Sequence, residues 1–299
     1  MNAETPKKKH TVLILTLIAL LALGLLIVTV MLSIPHLRLP QRVEAPTRPP
    51  EETTLPPETE PTTEATTEET VPPTKPPAPN PLGRYDFQYN RNNYLLLSNG
   101  ESYPGVDVSA FQGDIDWQKV ADSGIRFAIL RLGYRGYGQK GTLVKDEYID
   151  ANLKGAQEAG LAIGAYFFSQ ALNIEEVDEE IKFMLEILGD NKLEMPIVFD
   201  WEYVSDTART ANMDRETLTD LYTHFCTVME SKGFQPMIYF NWNQAHNLMH
   251  LSDLEAYPFW LALYTDRMTY PYEIEMWQWT SSGRVPGING DVDINVYIP

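Results

Sequence analysis

From Gly105 onward the chain repeats one unit five times: a short apolar run, then an amphipathic stretch. Gly124, Gly160, Gly189 and Gly233 close the first four stretches. Apolar runs this short, bounded by turn residues, read as buried strands, and stretches with 3.6-residue periodicity ending at glycine read as helices. The spacing predicts strands at 105–109, 127–132, 162–168, 196–202 and 237–240. Helices are expected at 116–123, 147–159, 175–188, 214–232 and, shorter, 242–249. Strand–helix alternation implies a parallel sheet with right-handed crossovers. Three further strands, at 259–264, 274–279 and 292–297, have only short connections. Eight strands suggest a closed, modified TIM-like (β/α)5(β)3 barrel whose last three strands lack helices, with its site at the strand C-terminal ends.

The segments before the barrel differ in composition. Residues 1–10 carry Lys7, Lys8 and Lys9, and 11–34 contain no charged residue. About 20 such residues span a bilayer as a helix. A cleaved signal peptide would have a shorter apolar core and a small-residue cleavage site, whereas Ser33-Ile34-Pro35-His36 offers no such pattern. The expectation is a single-pass signal anchor in the cell membrane, with a cytoplasmic head at 1–10 and the domain beyond it extracytoplasmic. Arg38 and Arg42 weaken that charge bias without reversing it. Residues 35–81 are dominated by Pro, Thr and Glu; lacking apolar periodicity, they are expected to form a disordered tether. Residues 82–299 are expected to form one folded domain, with 82–103 as a lead-in packed on a core of 103–299.

A net charge of −18 argues against nucleic acid, whose phosphates require a basic footprint. Cys226 is the one cysteine; in an apolar helical pattern it reads as a buried, inert thiol. His224, His246 and His250 cluster without an H-E-x-x-H pattern, so helix surface is their expected place and no metal or cofactor is expected. No G-x-S-x-G elbow is present. Gly133-Tyr134-Arg135-Gly136-Tyr137-Gly138 does not match a dinucleotide fingerprint. It reads as a loop at the barrel mouth that offers Arg131 or Arg135 to substrate.

The fourth strand, Pro196-Ile197-Val198-Phe199-Asp200-Trp201-Glu202, carries the chemistry. Residues i and i+2 of a strand face the same way, so Asp200 and Glu202 project side by side while Trp201 turns into packing. Asp107, after the first strand, and Asp293, in the last, complete four strand-end acids, with Asp291 the rival of Asp293. Tyr166, Tyr239, Trp260, Tyr264, Trp277 and Trp279 accompany them, Tyr166, Tyr239 and Trp277 being the firmest choices. Acids ringed by aromatics suit a sugar: the rings stack on it while a carboxyl protonates the glycosidic oxygen. The D-x-E spacing alone does not choose between retention and inversion.

These motifs together resemble the glycoside hydrolase family 25 lysozymes, the Chalaropsis-type N-acetylmuramidases. The resemblance rests on Gly105-Val106-Asp107-Val108-Ser109 with Phe111-Gln112-Gly113, Phe199-Asp200-Trp201-Glu202, Trp277-Gln278-Trp279-Thr280, and Val285-Pro286-Gly287-Ile288 leading to Asp293. It implies cleavage of the β-1,4 bond between N-acetylmuramic acid and N-acetylglucosamine in peptidoglycan, with net retention. Glu202 would be the general acid, and Asp200 either the stabiliser of a substrate-assisted intermediate or a nucleophile or base. Asp107 and Asp293 would orient groups and set pKa values. Tyr166, Tyr239, Trp277, Tyr264, Trp260 and Arg131 would contact substrate, and Phe111 stands where family members usually have Trp. Glu202 is expected to have a raised pKa. The domain is expected to be monomeric, with no protein partner indicated. The rival readings are a wall-binding scaffold without turnover, or a glycosidase acting on another N-acetylated glycan such as chitin.

Overall fold

The computed structural model describes residues 76–83 and 86–299. The expected head, the anchor at 11–34 and the tether up to residue 75 lie outside the described residues. Among the described residues no helix is long and apolar enough to cross a membrane.

A small antiparallel hairpin, β1 (Phe87–Tyr89) and β2 (Leu95–Leu97), precedes the barrel. It occupies the lead-in, where sequence shows no period. The barrel strands are β3 (Tyr103–Val108), β4 (Phe127–Arg135), β6 (Ala162–Ser169), β7 (Ile197–Trp201), β8 (Pro236–Asn241), β9 (Phe259–Ala262), β10 (Met276–Gly283) and β11 (Val292–Tyr297). Pairing runs β3-β11-β10-β9-β8-β7-β6-β4 and closes through β3–β4. Helices α1 (Trp117–Asp122), α2 (Ile149–Glu158), α3 (Ile174–Leu188), α4 (Arg215–Ser231) and α5 (Trp242–Asn247) follow the first five of these strands.

Three features depart from expectation. Strand β11 is antiparallel to both β10 and β3, because the short 284–291 connection allows only reversal, a parallel return needing a crossover of a dozen residues or more. The Gly133–Gly138 stretch is not wholly a loop. Strand β4 continues through Arg135 and pairs antiparallel with β5 (Leu143–Lys145), which is added outside the barrel. Arg135 is buried there, held by Glu180 at 2.6 Å, Glu179 at 3.1 Å and the carbonyls of Gly141 and Glu176. It does not reach the barrel mouth. Residues 78–80, expected to belong to a disordered tether over 35–81, are instead held on the domain, where Asn80 N donates to Pro271 O at 2.8 Å and Glu273 N to Ala78 O at 2.9 Å.

Local chemistry sets the helix boundaries. Asp116, Asn173 and Asp214 accept from backbone N–H groups three residues on, satisfying donors that a helix start leaves free. Gly233, after α4, has φ 86°, a conformation that costs a side chain energy.

Strand alternation divides the core in two. Phe127, Ile129, Val198, Met237, Trp260 and Met276 fill the barrel interior, while Phe199, Trp201, Phe225, Leu221 and Trp277 pack outside the sheet. Gly105 is required inside, since a Cβ there would lie 2.3 Å from the Phe127 ring. The apolar plug closes one end of the barrel and leaves the polar inward positions at the other.

Candidate active site

Inward residues of the seven parallel strands meet Asp293, which stands at the N-terminal end of the antiparallel β11, in one cleft. Asp107, Arg131, Tyr166, Asp200, Glu202, Tyr239, Trp260, Tyr264, Gln278 and Asp293 line it, with Phe111 and Phe168 at the rim. The four expected acids are therefore brought together. Trp201 turns outward, fully buried, and donates to Ala171 O at 3.1 Å.

Asp107 and Asp293 are direct cross-strand partners in the β3–β11 register. Oδ2 of Asp107 accepts from Gln278 Nε2 at 2.8 Å and Asn295 Nδ2 at 2.7 Å. The two amides are themselves oriented. Gln278 Oε1 accepts from Tyr239 OH at 3.2 Å and Tyr264 OH at 3.0 Å, and Asn295 Oδ1 from Trp260 Nε1 at 2.8 Å. Donors thus converge on Asp107 from both sides, which favours its ionised form. Burial outweighs them and raises its pKa to about 6. Asp293 is raised to about 8, by burial first, then by the charge of Asp107 and a hydrogen bond to it. Their mutual hydrogen bond lowers Asp107 and raises Asp293, which puts the proton between them on Asp293.

Asp200 and Glu202 form the second pair. Burial raises both; the charges of Glu202 and Asp107 push Asp200 further, while a hydrogen bond from Asp200 eases the rise of Glu202. The larger push therefore falls on the more deeply buried Asp200 rather than on Glu202, and the pair holds a shared proton. Asp200 Oδ1 is buried without a hydrogen-bond partner.

Arg131 is half-buried beneath the rim, paired to Asp146 at 2.8 Å. Asp146 also accepts from Ala110 N at 2.9 Å, so one carboxylate fixes both Arg131 and the turn carrying Phe111. Ser109 and Gln112 cap that turn reciprocally. Phe111 is 85% exposed there, with the Arg131 guanidinium 5.1 Å from its ring centroid.

Trp277 corrects the sequence reading. It is fully buried outside the sheet, edge-on to Phe87 at 5.1 Å, and donates to Leu263 O. Trp279 likewise lies on the outer face against Tyr89. In β10 it is Met276 and Gln278 that point inward; alternation fixes this once one of the two is placed. Tyr264 lies just past β9 and is 59% exposed at the mouth. Asp291, the rival of Asp293, is paired with Arg284 at 2.9 Å on the surface. Gln278, Asn295 and Asp146 are the site residues that sequence reasoning missed. The i+2 relation of Asn295 to Asp293 was the available signal.

Among the described residues no group of three His, Cys, Asp or Glu side chains is arranged to hold a metal ion. His224 bonds Asp178 and His246 stacks on Trp242, both at helix surfaces. His250 lies beyond the end of α5. Cys226 is buried, which pushes its thiol pKa up and leaves it inert.

The model of the glycosyl hydrolases family 25 matches residues 106–288. An uncharacterized protein, YegX of Escherichia coli K12, is 30% identical over 206 residues, covering 64% of this chain and 68% of its own. Lysozyme M1 of Streptomyces globisporus is 26% identical over 205 residues, covering 64% and 67%. Among solved structures, the modular autolysin LytC of Streptococcus pneumoniae, in complex with a synthetic peptidoglycan ligand, is similar with TM-score 0.59 and 26% identity. The match covers 71% of this chain and only half of LytC.

Proposed function

The chain belongs to the glycosyl hydrolases family 25, and from that premise we propose that it is a muramidase of the bacterial cell wall, cleaving the β-1,4 bond between N-acetylmuramic acid and N-acetylglucosamine. The observation that carries this reading is the meeting of four carboxyl groups, Asp107, Asp200, Glu202 and Asp293, in one aromatic-lined cleft. Glu202 protonates the glycosidic oxygen as the bond breaks. Asp200, which lines the cleft beside Glu202, accepts the N–H of the sugar's N-acetyl group, whose carbonyl oxygen attacks the anomeric carbon. That new hydrogen bond favours ionised Asp200 and moves the shared proton onto Glu202. Water, deprotonated by Glu202, then opens the ring intermediate with net retention. Asp107 and Asp293 hold the charge balance beneath.

Residues 11–34 anchor the protein in the cell membrane, in this reading, and 35–75 tether the domain on the wall side, where it remodels peptidoglycan. At ~3 Å per residue an extended tether of this length reaches on the order of 100 Å. Protease added to intact cells should remove the domain; its protection inside the membrane would refute the topology.

The catalytic reading is tested by mass spectrometry of purified peptidoglycan digested by the full chain and by Glu202→Gln. Products ending in reducing N-acetylmuramic acid, absent with the variant, are expected. Wall retention of both proteins without any products would favour a binding module, and chitin cleavage without peptidoglycan cleavage would reassign the substrate.

A further inference from the structure

Beside the acid cleft lies a second, larger hollow of about 640 Å³, built on the β4–β5 hairpin outside the barrel. Tyr134, Tyr137 and Val144 of the hairpin line it, with Val204 from the β7–α4 connection opposite. It shares Phe111, Arg131 and Phe168 with the acid cleft, so the two hollows adjoin. No residue of the hairpin takes part in the chemistry described above.

We propose that this hollow is a subsite for a further sugar ring of the same glycan strand, beyond the rings that flank the cleaved bond. The inference rests on the muramidase reading and adds a strand-length preference to it. Three observations support a sugar. First, the walls are aromatic and open: Tyr137 is 62% exposed and Phe111 85%, and phenolic rings combine a stacking face with a hydrogen-bonding hydroxyl. Second, the platforms are fixed before ligand arrives. The Arg131 guanidinium lies 5.1 Å from the Phe111 centroid and 5.5 Å from that of Tyr134, stacking on both. Third, the hairpin is rigid at its base. Arg135 is buried against Glu180 at 2.6 Å, Arg209 N donates to Tyr137 O at 3.2 Å, and Gly133 lies so close to β5 that a Cβ would be 2.4 Å from Val144 O. A pre-ordered platform avoids the entropy a mobile loop would lose on binding.

The test compares kcat/KM of the full chain and of Tyr137→Ala on peptide-free oligomers of alternating N-acetylglucosamine and N-acetylmuramic acid of increasing length. The same strands bearing stem peptides are run in parallel. Wild type should gain efficiency with length. Tyr137→Ala should lose about fivefold on long strands, as expected for one aromatic stacking contact, and nothing on the shortest oligomer cleaved. Tyr137→Trp, which restores a platform, should recover the length dependence. Equal loss at every length, or no loss at any, would overturn the subsite while leaving the muramidase reading intact. A loss confined to peptide-bearing strands would overturn it in favour of a peptide site. Failure of wild type to cleave any oligomer would overturn both readings.

Discussion

The side-chain amide of Gln170 donates to the backbone carbonyl of Glu202 at 2.6 Å, at the point where the sheet stops holding the chain. Ladder pairing of β7 ends at Phe199 on the β8 side and at Trp201 on the β6 side. Past that point, fully buried side chains replace the ladder. Gln244 donates to Trp201 O, and Thr210 Oγ1 donates to Gln170 Oε1 at 3.0 Å, orienting the amide. Gln170→Ala should therefore lower kcat by about 100-fold, the cost of a misplacement near 1 Å, with little change in KM. Steady-state kinetics on soluble peptidoglycan would test this. A parallel rise in KM with unchanged kcat would show that Gln170 does not position the acid.

The Asp107–Asp293 pair makes stability depend on pH. The Asp293 carboxyl has a folded pKa of about 8, against roughly 3.9 in an unfolded chain. Its contribution is complete below the unfolded value, declines as pH rises above it, and is lost above about 8. Asp293→Asn removes the titration. Denaturant curves at pH 5 and pH 8.5 should show the wild type losing more stability over that interval than Asp293→Asn. Activity should fall with the same alkaline limb, as Asp107 loses its proton donor.

Glu180 is fully buried with Oε2 unpartnered, and burial raises its pKa to about 7 against the opposing pull of Ser169 and Arg135. Removing Arg135 would leave that carboxyl buried without its charge partner. Arg135→Met should cost about 3–5 kcal/mol at neutral pH, read from urea denaturation. The double variant Arg135→Met/Glu180→Leu should recover most of it, because an apolar pair carries no desolvation cost.

Legibility in the sequence followed the local rules. Glycine stops and apolar periods located the five strand–helix units within a few residues, and D-x-E parity placed Asp200 and Glu202 in one cleft with Trp201 outside it. The same parity sets Trp277 and Gln278 on opposite faces of β10 without saying which face is inner, and bulk and aromaticity alone favour the tryptophan. Strand β5 stayed hidden because three residues carry no measurable period, and the tyrosines around it resembled loop. The antiparallel β11 depends on a loop length whose meaning emerges only once β10 and β11 are known to be neighbours.

Trp277 and Gln278, adjacent in β10, should fail in opposite ways. Trp277 fills the outer core, and Trp277→Ala should destabilise by about 3–5 kcal/mol while the remaining folded protein keeps its acid constellation. Gln278 is buried inside, donating to Asp107 and accepting from Tyr239 and Tyr264. Gln278→Leu removes a donor that favours ionised Asp107, so the Asp107 pKa should rise above about 6 and the acid limb of kcat should move to higher pH. Losing the acceptor also frees Tyr264 at the mouth, so KM should rise as well. Thermal unfolding and a pH–rate profile of the two variants would separate the roles. A stable Trp277→Ala with a shifted acid limb, or Gln278→Leu with an unshifted one, would reverse the assignment of inner and outer faces.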